Sequence, residues 1–377
     1  EAPVDLHVIL FVPSKRERGL IERRVEGTIK LYSRKVLILE QAKDLLPAHY
    51  RFVEGVVDSE DLPLNVSREM VQGSQAIQRI KKTLTGRLTR ELTELAQKDA
   101  EKYAAFWAEF GVFIKEGIAT DMAARSELAP LLRFHTTHDD ALHALADYKS
   151  RMLEGQEEIY YVLAADQASA RRSPHLEALA ERGLEALLLH DVMDGFMLTG
   201  LREYEGLKLR NVDDPDLKLP GEGKAAEVAV SDESFGRLVA RVKEVLGERV
   251  KSVRASELLR GSPARLLSPD DAPNREMERV QRILDRDFKL PPKLLELNRG
   301  HPLIADLARM VDERPADPLI VPLIEQIYDS ALLLEGLHPN PAEMVERIQA
   351  LMEAAARGNQ APAPKAVKRA KSKKSSE

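Results

Sequence analysis

The chain has 377 residues, no cysteine, 31% charged residues and a formal net charge of −6. Without cysteine, disulfides, thiolate metal sites and a cysteine nucleophile are all excluded. The acidic balance argues against a nucleic-acid binder over the bulk of the chain, and the absence of a long apolar run or a signal-like start predicts a soluble, cytoplasmic protein. The length predicts two or more cores, each able to fold without staples.

In chain order, Leu6 to Val12, Val36 to Leu39 and Phe52 to Val57 are short β-type runs bounded by Pro, Gly and charge, and they predict strands of an αβ layer. LPLNVSREMVQ, from Leu62 to Gln72, then forms a loop that launches a long helix and sets Arg68 four residues ahead of Gln72. In a helical turn both side chains leave one face. An arginine at such a junction can offer its forked N–H groups to a phosphate or carboxylate brought by another domain. The plainer alternative is a surface pair with Glu69 or Glu60. Ile77, Ile80, Leu84, Leu88, Leu92 and Leu95 follow at spacings of three and four, one apolar stripe with Lys81, Lys82, Arg87 and Arg90 on other faces.

Ile159 to Ala165 reads as a strand, Pro174 to Arg182 as a helix closed by Gly183, and Glu185 to Leu189 as a second strand, together a right-handed βαβ unit. Its first turn, AADQAS, lacks the glycines that let a backbone approach a pyrophosphate, which disfavours a dinucleotide enzyme. Asn211 to Glu227 is a linker by composition, rich in Asp, Pro, Gly and Lys. Beyond it come helix Phe235 to Leu246, strand Arg249 to Val253, strand Arg265 to Ser268, helix Arg275 to Asp285 and strand Leu294 to Leu297. Helices Leu319 to Glu335 and Ala342 to Ala355, separated by GLHPNP, end the ordered part. From Lys365 to Lys374 six basic residues occur with no acid, after Pro362 and Pro364, a tail expected to be disordered.

No G-x-S-x-G, Walker A or H-E-x-x-H pattern occurs, so self-contained catalysis has little support. His135, His138 and His143 with Asp139 and Asp140 carry zinc-ligand chemistry and could be read as a metal cluster, although no metal site is expected there. The terminal helices show apolar residues around much of their circumference: Leu319, Ile320, Leu323, Ile324, Ile327, Leu332, Leu333 and Leu334 on the first, Met344, Val345, Ile348, Leu351 and Met352 on the second. One hairpin cannot cover that surface, and pairing two copies would make a four-helix bundle.

The run RFVEGVVDSEDLPLNVSREMVQ, followed by FWAEFGVFIKEGIATD (Phe106 to Asp121), LLRFHTT (Leu131 to Thr137), YKSRMLEGQEEIYYVLA (Tyr148 to Ala164), SPHLEALAERGLEALLL (Ser173 to Leu189) and LGERVKSVR (Leu246 to Arg254), resembles the ninety-kilodalton heat-shock chaperone family, HtpG type in bacteria. The likeness runs from Leu6 to about Met352. It implies α/β and α+β architecture: an αβα-layered middle domain with a helical connector and a second, smaller αβ layer, then a mixed αβ C-terminal dimerisation domain. The implied divisions are 1–110 and 111–222 for the two parts of the middle domain, 223–355 for the dimerisation domain and 356–377 for the tail.

The family's ATPase lies in an N-terminal domain whose motifs are not in this chain, which opens at Glu1 directly into VDLHVILFVP and is expected to be a fragment. By resemblance Arg68 contacts the ATP γ-phosphate when the domains close, and Gln72 supports it; ATP and Mg²⁺ belong to the intact protein and none is expected on this chain alone. The resemblance also implies client contacts through Phe196, Met197 and Leu198, along a helix in DGFMLTGLREY, and through Met277. Bacterial members often carry Trp where Phe196 stands and an acid where Gly195 stands. Leu323, Ile327, Ile348, Leu351 and Met352 are the implied dimer contacts. The end of the chain lacks the acidic pentapeptide of cytosolic eukaryotic members, so tetratricopeptide co-chaperones are not implied. The expected partners are client proteins, a second copy and the N-terminal ATPase domain, with no nucleic acid and no membrane. The alternative function is an ATP-independent dimeric scaffold or holdase.

Overall fold

The computed structural model describes residues 5–16, 28–62, 75–221, 223, 228–269, 277–285 and 288–358, without the side chains of 279, 283 and 358. Strands β1 (Leu6–Phe11), β2 (Ile29–Ser33), β3 (Val36–Leu39) and β4 (Glu54–Ser59) form a sheet in the order β1-β4-β2-β3. β4 runs antiparallel to β1 and parallel to β2. Gly55 is required where β4 meets β1, since its φ is +147° and a Cβ there would lie 2.0 Å from the Ile9 carbonyl oxygen. β2 is not among the expected strands. Its hairpin to β3 turns on Arg34 and Lys35, at φ 47° and 66°, instead of the Asn-Gly pair that usually marks such turns. The Lys35 amide donates to Asp58 at 3.2 Å and helps hold the turn.

Helix α1 (Gln75–Lys98) buries Ile77, Ile80, Leu84 and Leu92 against this sheet's core, with Leu88 and Leu95 half-buried, as its stripe predicts. Asp99 caps the next helix, α2 (Ala100–Thr120), by accepting from the Lys102 amide at 3.0 Å. α2 contributes Phe106, Phe110 and Phe113 to an aromatic cluster around Phe52, whose ring stacks on Phe110 at 4.8 Å between centroids. The helix is continuous through residue 110.

His49 is buried beside α2, so tightly that a Cβ on Gly117 would lie 2.8 Å from the His49 Cβ. Burial pushes its imidazole down to about 4 from 6.5, with Asp121 opposing. The unfolded chain therefore binds the proton more tightly, and stability falls as pH drops from 6.5 toward about 4. Urea unfolding at pH 6.5 and pH 5 is expected to show a loss of about 2 kcal/mol from this group, which His49→Gln abolishes. Equal acid sensitivity in the two proteins would contradict it.

After the short helix α3 (Arg125–Leu128), strands β5 (Phe134–Thr136), β6 (Leu142–His143), β7 (Glu158–Leu163), β8 (Ala186–Leu189), β9 (Glu203–Tyr204) and β10 (Leu207–Asn211) form a second sheet, ordered β6-β5-β8-β7-β10-β9. Helices α4 (Leu145–Ser150), α5 (Gln167–Arg171), α6 (Glu177–Glu181) and α7 (Val192–Gly200) accompany it. β7 is parallel to β8 and to β10, so the expected βαβ unit forms. Its crossover helix is broken into α5, a 3₁₀ turn at Pro174–Leu176 and α6, ending at Gly183 with φ +70°.

Two expectations are corrected. The DGFMLTGLREY helix stops at Gly200, where the chain lies so close to α2 that a Cβ would sit 2.2 Å from the Ile118 carbonyl oxygen; Leu201 is buried outside the helix, and Glu203 and Tyr204 are in β9. The described start of the Asn211 to Glu227 segment is not a loose linker. Val212 and Leu217 are buried in a core with Tyr160 and Leu188, and Asn211 and Asp214 fold the backbone by accepting from the Asp213 and Asp216 amides.

The last sheet holds β11 (Val250–Ala255), β12 (Ala264–Leu267) and β13 (Lys293–Leu297), with β13 central, parallel to β11 and antiparallel to β12. Around it lie α8 (Asp232–Leu246), α9 (Glu278–Leu284), α10 (Pro302–Glu313), α11 (Ile320–Leu334) and α12 (Met344–Gly358). α10 is a helix the sequence reading omits, although Pro302 stands at its first turn and His301 caps it by accepting from the Leu303 amide at 3.1 Å. A separate core joins Leu238, Val242, Leu266, Leu295, Ile304 and Ile324. The fold is thus mixed α/β, with parallel and antiparallel pairs in each of the three sheets formed by the described residues.

Candidate functional site

Arg68 and Gln72 lie outside the described residues. The chain on either side is anchored: Ser33 Oγ donates to the Leu62 carbonyl at 2.5 Å, and Ile77 and Ile80 are buried in the first turns of α1.

α7 carries the first group of expected client contacts. Asp191 caps it by accepting from the Met193 amide at 2.9 Å, while the Asp191 amide donates to Asp194 at 2.8 Å. Lys115 of α2 lies 2.7 Å from Asp194 and 3.4 Å from Asp191, with its ammonium 5.8 Å from the centre of the Trp107 ring. Burial alone would lower the Lys115 ammonium, but Asp194 and Asp191 outweigh it and hold it above its ordinary value. This buried pair fixes α7 in place, since an unpaired charge there would be costly. On the helix so held, Phe196 is half-buried while Met197 and Leu198 are 0% and 1% exposed. Met197 and Leu198 serve the core in this arrangement, and Phe196 is the surface residue of the three. Met277, at the start of α9, is half-buried, and α9 packs against α7, so Phe196 and Met277 stand on neighbouring elements. Within α9 Val280 is buried and Leu284 is 75% exposed.

The two last helices form a hairpin fastened by Arg347 of α12, which donates to Gln326 at 3.2 Å, to Glu325 at 3.3 Å and to Asp329. Ile327 is buried in the core and Leu323 packs at its edge. Among the described side chains of α12 only Met344 is buried; Val345, Ile348 and Met352 are 50%, 37% and 65% exposed, and Leu351 is half-buried. Spacings of three and four put Val345, Ile348 and Met352 on one stripe that nothing else among the described residues covers.

Other chemistry is occupied internally. His143 Nε2 is 2.8 Å from Asp139, Asp140 pairs with Arg171 at 2.9 Å, and His135 stacks on His190 at 6.0 Å. Among the described residues no group of three His, Cys, Asp or Glu side chains is placed to hold a metal ion. At the first turn of the βαβ unit Asp166 accepts from the Ser169 amide at 2.8 Å, which puts a carboxylate where a dinucleotide enzyme binds its phosphates. No helix among the described residues is long and apolar enough to cross a membrane.

Sequence reasoning missed Lys115, Asp194, Arg347 and the buried Lys293. Lys115 does leave a signal, the one basic residue inside the largely apolar run VFIKEGI. The others belong to ordinary polar text whose partners become visible only in three dimensions.

Over residues 1–377 the chain matches the family model described as Hsp90 protein, and it belongs to that family of heat-shock chaperones. Among curated relatives it is similar to the chaperone protein HtpG of Nitratidesulfovibrio vulgaris, 38% identical over 364 residues, covering 94% of this chain and 57% of the relative. The HtpG chaperones of Methylococcus capsulatus and Chlorobaculum tepidum are 39% and 38% identical, over 92% and 95% of this chain and 55% and 58% of their own lengths. The chain thus spans a little over half the length of the curated relatives it matches.

Proposed function

We propose that this chain is the client-holding and dimerising part of an ATP-driven cytoplasmic chaperone, active in protein folding under stress. Residues 1–222 act as its middle domain, divided near 110, and residues 223–355 as its dimerisation domain, followed by the basic stretch that ends the sequence. ATP and Mg²⁺ bind a nucleotide domain outside these residues, and Arg68 with Gln72 completes hydrolysis there. The observation that carries the reading is the uncovered stripe of Val345, Ile348 and Met352, an apolar face that a second copy would bury isologously.

Clients engage the neighbourhood of α7 and α9. The half-buried Phe196 and Met277 supply large apolar side chains, and a flexible methionine repacks around varied partners. Phe196→Ala with Met277→Ala is expected to weaken suppression of aggregation of a chemically unfolded test protein, while the thermal midpoint drops by no more than about 4 °C. Loss of activity and fold together would assign both residues to the core instead.

A further inference from the structure

Helix α9 is seven residues long, too short to hold its shape alone, and its position depends on polar anchors elsewhere in the chain. Glu278, 2% exposed, pairs at 2.5 Å with the ammonium of Lys293 on β13, itself 1% exposed. Lys293 also donates to Ser268 Oγ at 2.7 Å, and Ser268 donates to Asp213 at 3.0 Å. These four side chains connect α9, through the third sheet, to the segment that leaves β10 of the second. One turn further on, Arg282 donates to the carbonyls of Gly336 and Pro339, in the loop between α11 and α12. Between these anchors Val280 is buried, and α9 lies against α7.

The arrangement is poised in energy. Burial pushes the Glu278 carboxyl above its ordinary range, and Lys293 is the chief influence in the other direction. Asp213 and Glu335 add like charge nearby. A buried ion pair adds little net stability, because both groups regain water when it opens, yet removing one partner strands the other. Such a pair specifies where α9 sits more than it glues it there.

We propose that Lys293 is a latch that docks α9 against α7, and that opening the latch turns Val280, together with Met277, toward extended apolar segments of an unfolded polypeptide. The second half rests on the client reading given above. Lys293 is a positioning residue here, acting on the client through α9.

Hydrogen–deuterium exchange on the full chain tests the latch. Lys293→Met should raise exchange at the amides from Arg282 to Asp285 by roughly a hundred-fold, with β11 and β12 keeping native rates. Adding Glu278→Gln removes the stranded carboxylate and should return those amides to within about three-fold of native. Unchanged exchange in Lys293→Met, or no rescue in the double variant, overturns the latch. If Lys293→Met exchanges globally, the double variant decides, with native-like exchange supporting the latch and global exchange overturning it. In parallel, affinity for a reduced and alkylated, permanently unfolded test protein should rise several-fold in Lys293→Met and fall back in the double variant. A rescued exchange pattern with unaltered affinity keeps the latch and overturns the client role of α9.

Discussion

Ile348→Glu combined with Met352→Glu is expected to convert a dimer of this chain into a monomer. Both side chains lie on the open stripe of α12, at 37% and 65% exposure, so the single chain tolerates the change. In a two-fold pairing the substitutions bring four carboxylates into one seam, each costing several kcal/mol unless it protonates. An interface able to survive that loss would need far more than the roughly 1,000 Å² expected of a modest specific contact. Analytical ultracentrifugation at micromolar concentration checks the result, with circular dichroism confirming that helix content is kept. Native chain sedimenting as a monomer under the same conditions would refute pairing through α12.

Arg68→Ala is expected to have the largest effect on chemistry, in a protein that carries both this chain and a nucleotide domain. A guanidinium delivered only on domain closure stabilises the charge spread of phosphoryl transfer without contributing to ground-state binding. ATP turnover should therefore fall by as much as about 10³-fold, the lower end for an arginine finger, with ATP affinity nearly unchanged. Arg68→Lys retains the charge and loses the fork, and its turnover should lie between the two. Phosphate release at saturating ATP, paired with a binding titration, separates the cases. Turnover that survives Arg68→Ala would remove the residue from the reaction. ATP added to this chain alone should leave its melting temperature where it was.

What was legible in the sequence is what periodicity writes. The stripe from Ile77 to Leu95, the βαβ alternation and the two terminal helices each repeat a spacing over enough residues to name an element, and each is present. β2 was lost because its turn uses Arg34 and Lys35, residues that do not announce positive φ. The segment after Asn211 misled because Asp and Pro mark turns whether or not the turn is packed, and Val212 shows that this one is. Of the candidate sites, the open α12 stripe could be anticipated from too much apolar surface on one hairpin. The burial of Met197 and Leu198 beside the half-buried Phe196 could not, since a short apolar helix does not say which of its faces meets α2. Ion pairs such as Lys115 with Asp194 join distant text and leave almost no local trace.

The first sheet ends at β1, on which Ile9 is 73% exposed with Val56 opposite it and Phe11 further along the same strand. Among the described residues no strand lies on its other side. An apolar edge with unpaired backbone groups is a template for a strand from another molecule, and concentrated solutions would extend through it into polydisperse aggregates. That growth is open-ended, whereas the proposed pairing through α12 would close at two copies, so the two can be told apart by their dependence on concentration. A single gatekeeping charge, Ile9→Lys, should suppress the aggregates and leave the helix-mediated species untouched.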